Sequence, residues 1–200
     1  MNTHLASRSR LVRTAAIAAT SLALIITGVA PAQADTPTLV DVPDAGFRSC
    51  LTQALTRAGL TDELTAENLS RLTIISCGGS AGAAISDLTG AEHLTGMDKF
   101  FLTSSTVSDV RPVAGLTGLT QLLVATSSAL DTAPLANLTA LYGLGLRGSK
   151  ITDLSFLSHL DSLDVLELGI SPEASLAPVA AVSSLTRFSF NTSESTLPAV

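Results

Sequence analysis

Five stretches of this chain repeat at a spacing of 22 residues without a slip. Leu94, Leu116, Leu138, Leu160 and Val182 share one phase, and Met97, Leu119, Leu141, Leu163 and Leu185 share the next, three residues on. Phe100, Leu122, Leu144, Leu166 and Phe188 follow, then Leu102, Val124, Leu146, Leu168 and Phe190. A unit this short cannot bury its own apolar face, so its neighbours must cover it and the chain must fold as a solenoid. That architecture removes most enzyme scaffolds. It leaves the ligand unnamed.

Residues 1–34 have the layout of a secretion signal. Arg8, Arg10 and Arg13 form a basic start, Ala15 to Ala30 is apolar, and Ala32-Gln33-Ala34 is an A-x-A cleavage site. The mature chain is expected to begin at Asp35. Thr20, Ser21, Thr27 and Gly28 interrupt the apolar run, which is too short to span a bilayer comfortably. The expected location is therefore extracellular, with no membrane span. The signal carries three Arg and no acid. Its removal takes the net charge from −6 to −9, with eight basic residues left against 17 acidic. Such a balance argues against nucleic acid as a partner.

Cys50 and Cys77 are the two cysteines of a chain bound for an oxidising compartment. An even count there favours a disulfide over free thiols. The alternative is two buried thiols packed as small apolar groups. Neither reading leaves ligands for a metal, and no cofactor is expected.

Before the repeats, Asp44 is a suitable helix N-cap, and Phe47, Cys50, Leu51, Ala54, Leu55 and Ala58 fall at helical spacing up to about Gly59. Thr61 to Leu72 reads as a second short helical turn leading to a strand at Leu72, Ile75 and Cys77. Gly78-Gly79-Ser80-Ala81-Gly82 matches the G-x-S-x-G pattern of a nucleophile elbow. That elbow needs a strand before it and a helix after it; here the chain runs into the next turn of the solenoid, and the motif reads as a loop. His93 and His159 lie three repeats apart, about 15 Å at strand spacing, too far to ligate one ion or serve one nucleophile.

Val42-Pro43-Asp44-Ala45-Gly46-Phe47, the helix after it, and the run from Leu64 to Thr73 resemble the N-terminal cap of internalin-type leucine-rich repeat proteins. Ile85 to Leu94 resembles the first repeat after such a cap, and Leu116 to Val124 resembles the 22-residue repeat class. The likeness covers roughly residues 41–194. It implies an α/β solenoid: a leucine-rich repeat horseshoe with short parallel strands on the concave face and a helical N-terminal cap. The expected organisation is residues 35–84 as cap and first strand, 85–194 as five repeats and 195–200 as a short tail.

Three details of the repeat carry further expectations. Pro112, Pro134 and Pro178 sit where a tight helical turn begins and a missing N–H is tolerated. Asp87, Asp109, Asp131 and Asp153 precede those turns and are expected to cap them rather than bind a cation. Ser105, Ser127, Ser149, Ser171 and Ser193 stand at the phase where this class usually places a ladder of Asn, so a looser hydroxyl ladder is expected.

The strand alternation then selects the residues that face outward on the concave side. Lys99, Phe101, Gln121, Leu123, Tyr142, Arg147, Glu167 and Arg187 are the candidate ligand contacts, with Phe101 and Leu123 as an apolar pair free of core duties. The expected function is a secreted, non-catalytic module that binds a protein or a glycan. The alternative is a structural part of the bacterial envelope that self-associates. It rests on the last repeat, where the ten residues after Phe190 spell no cap and leave a strand edge open.

Overall fold

The structure, a computed structural model, describes residues 38–78 and 85–192. The signal segment, residues 79–84 with Ser80, Ser193 and the tail lie outside the described residues.

Helix α1 spans Ala45–Arg57. It starts where Asp44 Oδ1 accepts the Phe47 N–H at 2.9 Å, satisfying one of the free donors of the first turn. It stops at Ala58, after which Gly59 takes φ +70°, a left-handed turn that suits a residue without Cβ. Phe47, Leu51, Ala54 and Leu55 are buried along one stripe. Ala58, expected on that stripe, is exposed, because it is the C-cap and the chain leaves the core there. Helix α2, Ala66–Ser70, is capped by Thr65, whose Oγ1 accepts the Asn68 N–H at 3.1 Å, and buries Leu69.

Strand β1, Ile74–Cys77, follows. The remaining strands are β2 Lys99–Ser105, β3 Gln121–Thr126, β4 Gly143–Ile151, β5 Val165–Ile170 and β6 Arg187–Thr192. All six form one open parallel sheet in sequence order. Two contacts pin α1 to its end. Cys50 and Cys77 form a disulfide with Cα atoms 5.5 Å apart, which decides between the two readings of the cysteines. Phe47 packs against Phe100 of β2, ring centroids 6.4 Å apart.

The sequence period becomes a spatial column. Leu122, Leu144, Leu166 and Phe188 stand in register across β3 to β6, as do Val124, Leu146, Leu168 and Phe190. The chain returns between strands through 3-10 turns at Ala91–His93, Arg111–Val113, Ala133–Asn137 and Ser155–His159, and through a last short helix, α3, at Ala177–Ala180. Pro112, Pro134 and Pro178 lie in the first positions of three of them. Each of the four aspartates accepts the N–H two residues on: Asp87 from Thr89, Asp109 from Arg111, Asp131 from Ala133 and Asp153 from Ser155, at 2.8–3.1 Å. Arg111 lies against Asp109 at 2.6 Å, and its hydrogen bonds hold that carboxyl below the usual carboxylate range.

The hydroxyl ladder differs from expectation. Pairing between β2 and β3 keeps the 22-residue offset to Leu102↔Val124 and then shifts to Ser105↔Thr126, a bulge of one residue on β2. The bulge moves Thr126 into the inward position. Its Oγ1 donates to the Val107 carbonyl at 2.7 Å, while Ser127 is exposed. Ser105 donates to the Ala125 carbonyl, and Ser149 to Leu146 within its own strand. A second, larger shift separates β4 from β5, from Leu146↔Leu168 to Ile151↔Ile170. Ser105 and Thr126 thus bridge neighbouring repeats while Ser149 bonds within its own strand, and the inner hydroxyls form no uniform column.

The stack thins at β6. All six of its residues are exposed, although Phe188 and Phe190 occupy the columns of fully buried Leu166 and Leu168. The two rings stack on each other at 5.5 Å.

Candidate functional site

The open face of the sheet is built from alternate residues, arranged by the strand register in two main rows. Ile74, Lys99, Gln121, Gly143, Val165 and Arg187 form the first; Ser76, Phe101, Leu123, Gly145, Glu167 and Ser189 form the second. Two glycines in β4 delete adjacent side chains from the middle of both rows. The result is a depression of about 290 Å³. Phe101, Leu123 and Val165 supply its apolar surface, and Gln121, Tyr142, Glu167 and Arg187 its polar rim. The two glycines are not equivalent. A Cβ on Gly145 would stand 2.5 Å from Leu123 Cδ1, so the Leu123 side chain already leans across that gap. A Cβ on Gly143 would meet only Gln121 Cγ, at 3.7 Å, so that gap is open.

The rim is held by ion pairs and hydrogen bonds. Arg147 Nη2 lies 2.7 Å from Glu167 Oε2, and Arg187 Nη2 lies 3.9 Å from Asp164 Oδ2. Both pairs lie at the surface, with Asp164 half-buried, and orient side chains more than they stabilise the fold. The Thr186 hydroxyl donates to Asp164. That bond, then the nearby Tyr142 side chain, hold the Asp164 carboxyl below its ordinary range despite slight desolvation, with Arg187 adding to the effect. The tyrosine ring, 46% exposed, stands at the edge of the depression.

No protein-family model matches the chain, and no curated protein matches it in sequence. Solved structures do match. Internalin InlF of Listeria monocytogenes is 22% identical with a TM-score of 0.56, over 79% of this chain and 59% of that one. The functional domain of InlJ from the same organism is 26% identical with a TM-score of 0.55, over 76% and 38%. A leucine-rich repeat protein of Leptospira interrogans is 17% identical with a TM-score of 0.51, over 62% and 33%. The chain has the internalin-type leucine-rich repeat fold. It spans less than two thirds of the length of each of these proteins.

Within this internalin-type sheet, six of the eight candidate contacts read from the sequence line the depression: Phe101, Gln121, Leu123, Tyr142, Glu167 and Arg187. Arg147 reaches it only through Glu167. It lines instead a neighbouring shallow groove of about 630 Å³ with Ser104, Ala125 and Thr126. Lys99 stands in the first row, outside the depression. Sequence reasoning places Val165, Gly143 and Gly145 on the outward face without reading the glycines as formers of a gap, and it passes over Asp164. A signal for Asp164 was present. Asp98, Thr120, Tyr142, Asp164 and Thr186 share one 22-residue phase just before each strand, and Thr120 donates to Asp98 Oδ1 at 2.5 Å as Thr186 does to Asp164.

His93 and His159 close different 3-10 turns with two others between them, so they share no site. No group of three His, Cys, Asp or Glu among the described residues is placed to hold a metal ion. No helix among them is long and apolar enough to cross a membrane.

Proposed function

We propose that this chain is a secreted, non-catalytic leucine-rich repeat module that binds a protein through the open face of its sheet, with the depression over Gly143 as the centre of contact. In this reading residues 1–34 direct export, residues 35–84 cap the stack, residues 85–194 form the five repeats and residues 195–200 a short tail. The observation that carries it is the gap in β4. A sheet face with no task would have no reason to omit side chains between Leu123 and Val165 with Tyr142 beside the gap. An apolar floor with a rim of paired charges suits one anchoring side chain of a protein partner, surrounded by polar contacts. InlF and InlJ share the fold, which supports a binding module and says nothing of the partner.

The test is differential capture from the producing organism's envelope and medium by immobilised wild type and by Gly143→Phe, which fills the gap. A protein retained by the first and lost by the second supports the proposal. Equal capture by both refutes it. Retention of oligosaccharides on a glycan array, abolished by Gly143→Phe, would replace the protein with a glycan.

A second reading is favoured by one observation: β6 sets Phe188 and Phe190 at 38% and 50% exposure where the columns elsewhere are buried. An unpaired, apolar strand edge is a template for another chain. In this reading the protein is an assembly component of the bacterial envelope, joining copies through β6. Sedimentation over a wide concentration range separates the two, since a chain that stays monomeric into the hundred-micromolar range has no such edge.

A further inference from the structure

At the opposite end of the sheet, β1 has, among the described residues, a strand partner on one side only. Along its other edge lies a cleft of about 240 Å³, between the last turn of α1 and the strand, with Arg57, Arg71, Ile74 and Ser76 among its lining. The two arginines are the unusual feature. Among the described residues Arg111, Arg147 and Arg187 each have a carboxylate within 4 Å, and Arg48 donates to the carbonyls of Val42 and Pro43. Among the described residues Arg57 and Arg71 have no carboxylate within that range; there Arg57 reaches only Gln53 Oε1, at 3.5 Å. In a chain with a net charge of −6, two uncompensated guanidinium groups share one cleft. Beside them Ile74 is 53% exposed.

Taken together, an unpaired strand edge offers backbone donors and acceptors, the arginines offer planar donors for carboxylates, and Ile74 offers an apolar contact. We propose that the β1 edge is a docking site for an extended acidic peptide segment of a protein partner, added to the sheet as a further strand with its carboxylates at Arg57 and Arg71. Backbone pairing supplies the register, and charge complementarity supplies the choice of partner. This surface is separate from the depression in β4, and its use does not depend on that depression.

The probe is a fluorescein-labelled peptide alternating Glu and Val, which places all carboxylates on one side of an added strand. It is titrated against the full, oxidised chain by fluorescence anisotropy, with amide shifts of Ile74 and Ser76 followed by NMR. The peptide is expected to bind, to shift those two amides, and to weaken with salt. The double variant Arg57→Gln/Arg71→Gln is expected to lose affinity by about tenfold, and replacing Glu by Gln in the peptide to do the same. Both arginines are exposed, so the variant should keep the wild-type circular dichroism. Gly143→Phe should bind the peptide as wild type does, which keeps this result distinct from the fate of the β4 depression. Absence of binding, or binding unchanged by the two substitutions, overturns the proposal. So does a peptide that leaves the β1 amides unmoved while inorganic phosphate shifts them, since the cleft is then a small-anion site only.

Discussion

Two residues in one column test the logic of the stack. Leu144 and Phe188 occupy the same phase, two repeats apart, and both face the core side of the sheet. Leu144 is 2% exposed and lies between Leu122 and Leu166, each 1% exposed, on the two neighbouring strands. Leu144→Ala removes buried methyl groups and leaves a cavity that strands on both sides hold open, so it should cost about 3–4 kcal/mol within the usual range for such truncations. Phe188 is the larger side chain, and a fully buried Phe→Ala costs about as much or more. Here it is 38% exposed and β6 is last in the sheet, so Phe188→Ala should cost only about 1–2 kcal/mol. The smaller side chain is therefore predicted to matter more. The assay is guanidinium unfolding followed by far-UV circular dichroism, with thermal melting as a check. At about 2–4 °C per kcal/mol, Leu144→Ala should lower the midpoint by roughly 10 °C and Phe188→Ala by less than half of that. Equal shifts, or a larger one for Phe188→Ala, would mean that something covers β6 as fully as a neighbouring repeat covers β4, and the end-of-stack argument would fail.

Other predictions follow from single contacts. Reduction of Cys50–Cys77, 27 residues apart, should cost about 3.5 kcal/mol in the chain-entropy picture, and the oxidised protein should be two hydrogens lighter by mass. Asp44 is raised by burial but lowered by more, through hydrogen bonds from the Ser86 and Phe47 N–H groups, the Ser86 hydroxyl and the Asp87 N–H, and its carboxyl ends below the ordinary value. A carboxyl depressed in the folded state stabilises above its unfolded pKa of about 3.9 and loses that contribution as pH falls through the folded value. Asp44→Ala should thus cost about 1 kcal/mol or more at neutral pH and flatten the stability profile below about pH 4, which acid titration of the unfolding midpoint checks. Gly143→Ala should melt within about 0.5 kcal/mol of wild type. Gly169→Ala, whose Cβ would stand 2.8 Å from Gly148 N and Ser149 O, should cost about 1–3 kcal/mol.

The solenoid was legible because the core is periodic. Every column from Leu94 to Leu168 is a repeated demand for an apolar group at one place, and the chain states it each time. Caps were legible for the same reason: Asp44, Thr65 and the row from Asp87 to Asp153 each precede a helical turn and answer its free N–H groups. The hydroxyl column was not. Its residues recur at 22, but a bulge obeys backbone conformation rather than residue type. Ser104 adopts φ 57° and β2 gains a residue there, so Thr126 replaces Ser127. Gly148 marks a comparable place in β4: at φ +71° its missing Cβ leaves room for the Thr126 carbonyl, which would stand 2.7 Å away.

The open face of the sheet was half legible, for a reason tied to how a repeat fold varies. Alternation within each strand names the outward residues, and six of those named here line one depression. What makes it a depression is the absence of side chains at Gly143 and Gly145, and an absence has no signature until the register sets both glycines between Leu123 and Val165. The core columns must repeat for the fold to exist. The outward rows need not, and they do not: Lys, Gln, Gly, Val and Arg follow one another across the first. Only the row just before the strands mixes both behaviours. Its Asp98–Thr120 and Asp164–Thr186 bonds recur three repeats apart, and Tyr142 shares their phase between them. The phase thus carries a repeated carboxylate–hydroxyl bond and, once, the aromatic ring of the rim. A chain in which Asp164 became Ala would keep its columns and lose the bond to Thr186. The outward face can therefore drift while the fold stays fixed, and the repeat period that identifies the architecture is silent about any partner.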